Sequence, residues 1–286
     1  MTPAENLTAR LGGRWHGAYG TSRCPAHDDH EPSLSIRDGE RSVLVKCHAG
    51  CSPQAVMRAL RRDRRWPDAR EQQHGEAKPK RHSADTRRYL LSIWHECLPI
   101  SATPAERYLR DRAIRGELPP SLRYHPGLKH TDTGLLLPAM VAAVQAPDRS
   151  ITGIHRTYLR ADGAGKAKVP SPRKMLGIVR GGTVRLAVAG PDLALGEGIE
   201  TCLSFMQMTG IPTWAAMTTS GMRCAILPPA PLAETVFLII DLDPAGEAAA
   251  RSAAARFSGE GRKVKLCRPG TGNDMADALA GIAHAQ

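Results

Sequence analysis

Residues 235–250 read TVFLIIDLDPAGEAAA. The stretch from Thr235 to Ile240 is almost continuously apolar, as a strand buried on both faces of a parallel sheet must be. Asp241 and Asp243 follow at once. A Pro-Ala-Gly turn then opens the Ala-rich segment PAGEAAARSAAARFSGEG, which reads as a helix ended by Gly259 or Gly261. The same rhythm extends to both sides. VRLAVA from Val184, LALGEG from Leu193, PTWAAM from Pro212 and KVKLCRP from Lys263 read as strands. IETCLSFMQMTG, closed by Gly210, and NDMADALAGIAH read as helices. Strands alternating with helices predict an α/β domain with a mostly parallel sheet over residues 184–286.

Ligands of such sheets bind beyond the carboxyl ends of the strands. Glu197 in Gly196-Glu-Gly-Ile-Glu200 stands at one such end, and Asp241 and Asp243 stand at another. Asn273-Asp274 and Asp277 open the last helix. Carboxylates massed together repel unless a cation neutralises them, and hard oxygen ligands select Mg²⁺ or Mn²⁺. Such ions share phosphate oxygens and support phosphoryl or nucleotidyl transfer. Helix N-capping accounts for Asp243 or Asp274 singly, and Glu200 reads as a helix-start acid. Capping does not account for carboxylates at successive strand ends.

Charge is unevenly spread along the 286 residues. Residues 1–60 carry 7 basic and 6 acidic side chains, 61–88 carry 10 and 5, 89–185 carry 15 and 7, and 186–286 carry 7 and 10. The net charge of +11 therefore sits in the middle, while the α/β part is acidic. In that middle, residues 135–145 and 151–160 alternate like strands around a turn at Ala146-Pro147-Asp148, and a helix starts at Thr103-Pro104. An earlier helical pattern runs through Tyr89, Leu90, Ile93 and Trp94. His155, Arg156, Arg160, Lys166, Lys168, Arg173 and Lys174 form a basic cluster suited to a polyanion or a triphosphate. Strand alternation puts Arg156, Tyr158 and Arg160 on one face, with Tyr158 placed to stack on a base.

Near the start, Cys24-Pro-Ala-His27 and Cys47-His-Ala-Gly-Cys51 are two close pairs about twenty residues apart. LSIRDGERSVLVKC between them reads as a hairpin turning at Asp38-Gly39. Cys24, His27, Cys47 and Cys51 supply the four ligands of one structural Zn²⁺. His48, adjacent to Cys47, is set aside as a ligand, and His16 and His30 read as surface residues. Cys97, Cys202, Cys224 and Cys267 read as small buried hydrophobes. The charged, aliphatic-poor stretch 63–84 reads as a flexible linker. The organisation expected is a zinc ribbon at 1–62, the linker 63–84, a basic α+β segment at 85–183 and the α/β domain at 184–286. No apolar leader opens the chain and no apolar run reaches about 18 residues, so a cytoplasmic protein without a membrane partner is expected.

Taken together, EGIE at 197–200, IIDLDPAGEAAA and Gly-Asn-Asp near the end resemble the Toprim domain, the catalytic fold of bacterial-type primases, topoisomerases and some nucleases. CPAH…CHAGC resembles the zinc-binding domain of bacterial and phage primases. GIHRTYLRADGAGKAKVPSPRKMLG resembles the region before Toprim in primase-like proteins of phages, plasmids and integrated elements. The resemblance implies a DNA primase that joins ribonucleoside triphosphates into short RNA primers on single-stranded DNA. It implies that Glu197, Asp241 and Asp243 are catalytic. Glu197 assists proton transfer or binds metal, Asp241 and Asp243 hold Mg²⁺ against the triphosphate, and Asp277 or Asp274 serves a second ion. The ribbon engages the template. No G-x-x-x-x-G-K-[ST] pattern occurs, so any replicative helicase is a separate partner. Two other classes stay open: a Toprim-type nuclease, and a non-catalytic accessory that recruits a helicase. The tyrosines all precede residue 184, and no cleavage domain of the kind a topoisomerase needs accompanies them.

Overall fold

Thr2 and Glu5 start the first helix, α1 (Pro3–Arg10), by a reciprocal capping box. In the structure, a computed structural model, residues 1–39, 42–63, 65–66 and 84–284 are described. They fall into two compact units, Met1–Arg81 and His82–Gln286.

The first unit is a four-stranded antiparallel sheet in the order β1 (Arg14–Trp15), β2 (Gly20–Ser22), β3 (Leu34–Asp38), β4 (Val43–Cys47). The expected hairpin is β3–β4, in register from Leu34↔Cys47 to Asp38↔Val43. Gly39 N–H donates to the Ser42 carbonyl at 2.9 Å, while turn residues 40 and 41 lie outside the described residues. Leu34, Ile36 and Val43 are buried, and α1 contributes Ala4 and Leu7 to the same core. A second helix, α2 (Pro53–Arg62), is capped by Ser52 and adds Val56 and Leu60. The expected linker 63–84 lies largely outside the described residues. Trp66, at its start, packs on this core rather than standing free.

The second unit opens with α3 (Ala84–Glu96). Its apolar stripe is Leu90, Ile93 and Trp94, whereas Tyr89 faces solvent. A five-stranded antiparallel sheet follows in sequence order: β5 (Leu98–Pro99), β6 (Leu122–Lys129), β7 (Leu136–Gln145), β8 (Ile151–Tyr158) and β9 (Arg173–Gly177). Helix α4 (Pro104–Arg110) is capped by Thr103, as the sequence predicts. Strand β7 is buried on both faces. Ala139, Val141 and Ala143 meet α3, and Met140, Ala142 and Val144 meet the core that contains α4. This is the period-2 alternation of a strand between two helical layers.

The α/β sheet has the order β10 (Val184–Arg185), β12 (Thr213–Ala215), β11 (Asp192–Gly196), β13 (Thr235–Ile239), β14 (Lys263–Cys267). The pairs β11–β12, β11–β13 and β13–β14 are parallel. VRLAVA contributes only two strand residues, and these pair antiparallel with β12. The chain then leaves the sheet, with Val188 exposed. Helices cover both faces: α5 (Ile199–Thr209) and α8 (Met275–His284) on one, α6 (Thr219–Cys224) and α7 (Pro244–Gly259) on the other. One continuous core runs from Tyr108 and Met140 through Val184 and Ala194 to Leu203 and Leu279. It joins the antiparallel and parallel sheets, which also meet through paired backbone bonds of Gln145 and Thr183. Among the described residues no helix is long and apolar enough to cross a membrane.

Gly196 ends β11 where no side chain fits. A Cβ there would stand 2.7 Å from Cys202 Sγ and 3.2 Å from Ile239 carbons. Gly196→Ala is therefore expected to cost about 1–3 kcal/mol, read as a lower urea midpoint at unchanged slope.

Candidate active site and metal cluster

The chain leaves β11 through Gly196 into Glu197, then starts α5 at Ile199. It leaves β13 through Ile240 into Asp241, and Asp243 caps α7 by accepting from Gly246 N–H at 2.7 Å. Asp274 stands just before α8. These turns lie at one end of the sheet because parallel strands all point their carboxyl ends the same way. Glu197, Asp241, Asp274 and Asp277 line one cavity of about 370 Å³. Across it stand His155, Lys166, Arg173 and Arg112.

Two of these carboxylates, Glu197 and Asp241, are disfavoured in their charged form. Burial, reinforced by Asp241 and Asp243, pushes Glu197 above the usual carboxylate range. Burial, with Asp274 and then Asp243, pushes Asp241 up to about 6. Asp241 Oδ1 is buried without a hydrogen-bond partner among the described residues. A divalent cation answers all three observations, since it binds oxygen and restores ionisation. The expected roles divide unevenly. Asp243 spends one oxygen on the helix cap. Asp277 accepts from Asn273 N–H at 2.9 Å, which ties it to its own loop. Asp274 accepts from Ala276 and Asp277 N–H groups, yet it is the carboxylate of that loop that acts on Asp241.

The basic cluster separates into two faces of the antiparallel sheet. His155 on β8 and Arg173 on β9 face the acids, Arg173 pairing in register with Thr157. Lys166, bridged to Leu159, joins them. The other face is closed. Tyr158 is fully buried, its hydroxyl donating to Lys129 O at 2.9 Å and its ring meeting His130 edge-on at 4.8 Å. The expectation that Tyr158 stacks on a base is therefore corrected: α3 packs over that face, and no ring surface is left open. Arg156 is buried beside it and donates to Met175 O. Arg160 pairs with Asp162 at 2.9 Å and Lys174 with Asp132 at 2.5 Å, while Lys168 is exposed. Burial pushes His155 down to about 4, so the ring is neutral near pH 7 and its Nδ1 has no partner among the described residues.

Glu200 is more than a helix-start acid. It is buried, accepts from Tyr108 OH at 2.6 Å, and accepts from Arg173 Nη2 at 3.1 Å. Burial alone would raise it, but Arg173 and Tyr108 outweigh burial and hold it below the usual range. Arg112 lies over the Tyr108 ring at 3.8 Å. Glu200 thus aims Arg173 into the cavity. Glu200 lies in the first turn of α5 and Glu197 just before its Gly198 cap, but nothing local in the sequence marks Tyr108 as a partner.

In the first unit, one ligand atom from each of Cys24, His27, Cys47 and Cys51 lies within 4.8 Å of the others. His27 Nδ1 is 3.2 Å from Cys51 Sγ and 3.9 Å from Cys47 Sγ. A tetrahedral zinc with Zn–S near 2.3 Å needs edges of roughly 3.8 Å, so the four atoms fit the ion. Burial pushes the Cys24 thiol up to about 12, a state that metal ligation reverses. His48 bonds Ser35 instead and stays outside the cluster. Cys97 and Cys202 are buried as expected, while Cys224 and Cys267 are half-buried.

The strand ends of the parallel sheet thus gather carboxylates opposite cations around one cavity of an α/β domain. Residues 192–282 match the family model described as the Toprim domain, and the chain carries that domain. Residues 84–186 match a domain of unknown function, DUF7146. No curated protein matches the chain. Among solved structures, it is similar to the primase fragment of the bacteriophage T7 primase-helicase protein, at 15% identity and a TM-score of 0.41, over 63% of this chain and 66% of that one. It is similar to the zinc-binding and RNA polymerase domains of Aquifex aeolicus primase, at 14% identity and a TM-score of 0.40, over 99% and 82%. A DNA primase domain from Pseudomonas aeruginosa matches at 13% identity and a TM-score of 0.36, over 56% and 52%.

Proposed function

We propose that this chain is a DNA primase that joins ribonucleotides into short RNA primers on single-stranded DNA. The observation that carries the reading is the mixed cavity. The carboxylates of Glu197, Asp241 and Asp274 face Lys166 and Arg173 within one pocket of the Toprim-bearing unit. A nuclease needs the carboxylates, whereas an incoming triphosphate also needs fixed cations beside them.

In the reaction, the 3′-hydroxyl oxygen of one nucleotide forms a bond to the α-phosphorus of the next. The bond to the β-phosphate bridging oxygen breaks, and pyrophosphate leaves. Mg²⁺ or Mn²⁺, when bound, supplies charge neutralisation on the triphosphate. Asp241 and Asp274 would hold the ion, beside Glu197 in the same cavity. Glu197, the carboxylate raised by burial and its neighbours, accepts the hydroxyl proton. Lys166 and Arg173 orient the phosphates, and Glu200 keeps Arg173 in place. The Cys24–His27–Cys47–Cys51 cluster holds one structural Zn²⁺ and presents the first unit to template. The work divides along segments 1–62, 63–84, 85–183 and 184–286, with a replicative helicase as a partner.

Lys166 forms no ion pair among the described residues, so its charge is available to a ligand. Lys166→Ala is expected to weaken nucleoside triphosphate binding by about ten- to a hundredfold, read as KM, with no change in thermal unfolding. The reading itself is tested with single-stranded DNA, Mg²⁺ and labelled ribonucleotides. Template-dependent oligoribonucleotides support it. Cleavage of the DNA in the absence of nucleotides, with no incorporation in their presence, places the chain among nucleases instead.

A further inference from the structure

We infer that Asp29, which is not one of the metal ligands, positions the zinc cluster by fixing which ring nitrogen of His27 faces the ion. The inference rests on the zinc assignment above. The Asp29 side chain is only 8% exposed. A carboxylate so buried must be satisfied by fixed donors. Its Oδ2 accepts from Cys24 N–H at 2.5 Å, from Ser33 Oγ at 2.7 Å and from Ser33 N–H at 3.4 Å. Its Oδ1 lies 3.5 Å from His27 Nε2. The opposite nitrogen of that ring, Nδ1, is the one that points at Cys51 and Cys47.

A neutral imidazole carries a proton on one nitrogen and a lone pair on the other. With Asp29 beside Nε2, the proton stays on Nε2 and the lone pair on Nδ1 faces the metal. A carboxylate behind a metal-bound histidine also raises the ring's basicity as a ligand. The same carboxylate reaches two more ligands. It anchors the backbone of Cys24 directly, and Ser33 Oγ, which it holds, lies 3.7 Å from Cys47 Sγ. One buried side chain therefore organises the surroundings of Cys24, His27 and Cys47. Asp28, one residue earlier, is 93% exposed and contacts only His30 among the described residues, so it serves as a matched control.

The test uses the full chain loaded with zinc and titrated with a chromophoric chelator. Asp29→Asn and Asp29→Ala are expected to lower zinc affinity by about ten- to a hundredfold, while Asp28→Asn leaves it unchanged. A second readout is long-range proton–nitrogen correlation of the His27 ring in the loaded wild type, which reports the tautomer without any variant. Metal on Nδ1 with a proton on Nε2 agrees with the inference. Metal on Nε2, or full zinc affinity in both Asp29 variants, overturns it while leaving the zinc site standing. A wild type that takes up no zinc overturns the zinc assignment together with the inference.

Discussion

Replacing Asp241 by Asn is expected to abolish nucleotide incorporation and, without divalent cations, to make the fold more stable. The two effects share one cause. Asp241 is held near 6 in the folded chain against an ordinary value of 3.8, because burial and the neighbouring acids Asp274 and Asp243 disfavour its charge. The folded state therefore binds this proton more tightly than the unfolded state. Stability from that proton is fully present below about 4 and is lost as pH rises through about 6. At about pH 7.5 the ionised group costs the ion-free protein on the order of 1–3 kcal/mol, an upper range because the side chain is partly solvated. Asn keeps the shape and removes the charge. Asp241→Asn should raise the ion-free Tm by about 2–8 °C at that pH, and by nothing near pH 4. Mg²⁺ should raise the Tm of the wild type alone. In activity the same change removes an ion ligand and should cost about 10²–10³-fold or more. Differential scanning calorimetry with and without Mg²⁺, across pH, checks the stability half.

Loss of the zinc cluster should unfold most of the first unit. Its core is small: apart from Cys24 and Cys47 the buried members are Ala4, Leu7, Leu34, Ile36, Val43, Val56 and Leu60, edged by partly buried side chains such as Trp15 and Trp66. A domain of about sixty residues buries too little surface to be more than marginally stable without reinforcement. The ligands sit where reinforcement is needed. Cys47 ends β4 opposite Leu34, Cys24 and His27 lie on the loop between β2 and β3, and Cys51 directly precedes the Ser52 cap of α2. One ion thus closes the loop, the hairpin and the helix start. Cys47→Ser, or removal of zinc by a strong chelator, is expected to abolish amide-exchange protection in β2, β3 and β4. The amides of β11 and β13 should keep their protection. Equal protection in β3 and β4 with and without metal would show that the core folds by itself.

The parallel sheet was legible because its pattern is strong. TVFLII has no competing reading, Gly210 closes α5 in the left-handed region, and Asp243-Pro244 is a helix start. The zinc ligands were legible for a different reason, since paired Cys/His spacing encodes a turn as well as a donor. The basic cluster was harder. Alternation correctly groups Arg156 with Tyr158, but it cannot say which face a second helix covers. That depended on α3, about sixty residues earlier in the chain, packing Leu90 and Ile93 onto the face that carries Tyr158. Glu200 was underrated for the same reason. Its partners Tyr108 and Arg173 come from α4 and β9, and only tertiary packing brings them together. VRLAVA shows the opposite failure: its apolar pattern promises a full strand, yet the backbone turns out of the sheet after Arg185.

The central claim is that the acids at these strand ends, with their facing cations, build RNA on a DNA template. The direct measurement is incorporation of labelled ribonucleotides on single-stranded DNA in Mg²⁺ by wild type and Asp241→Asn, the variant's folding having been verified by calorimetry. The account predicts short template-dependent products from the wild type and none above background from the variant. Equal product from both would contradict it.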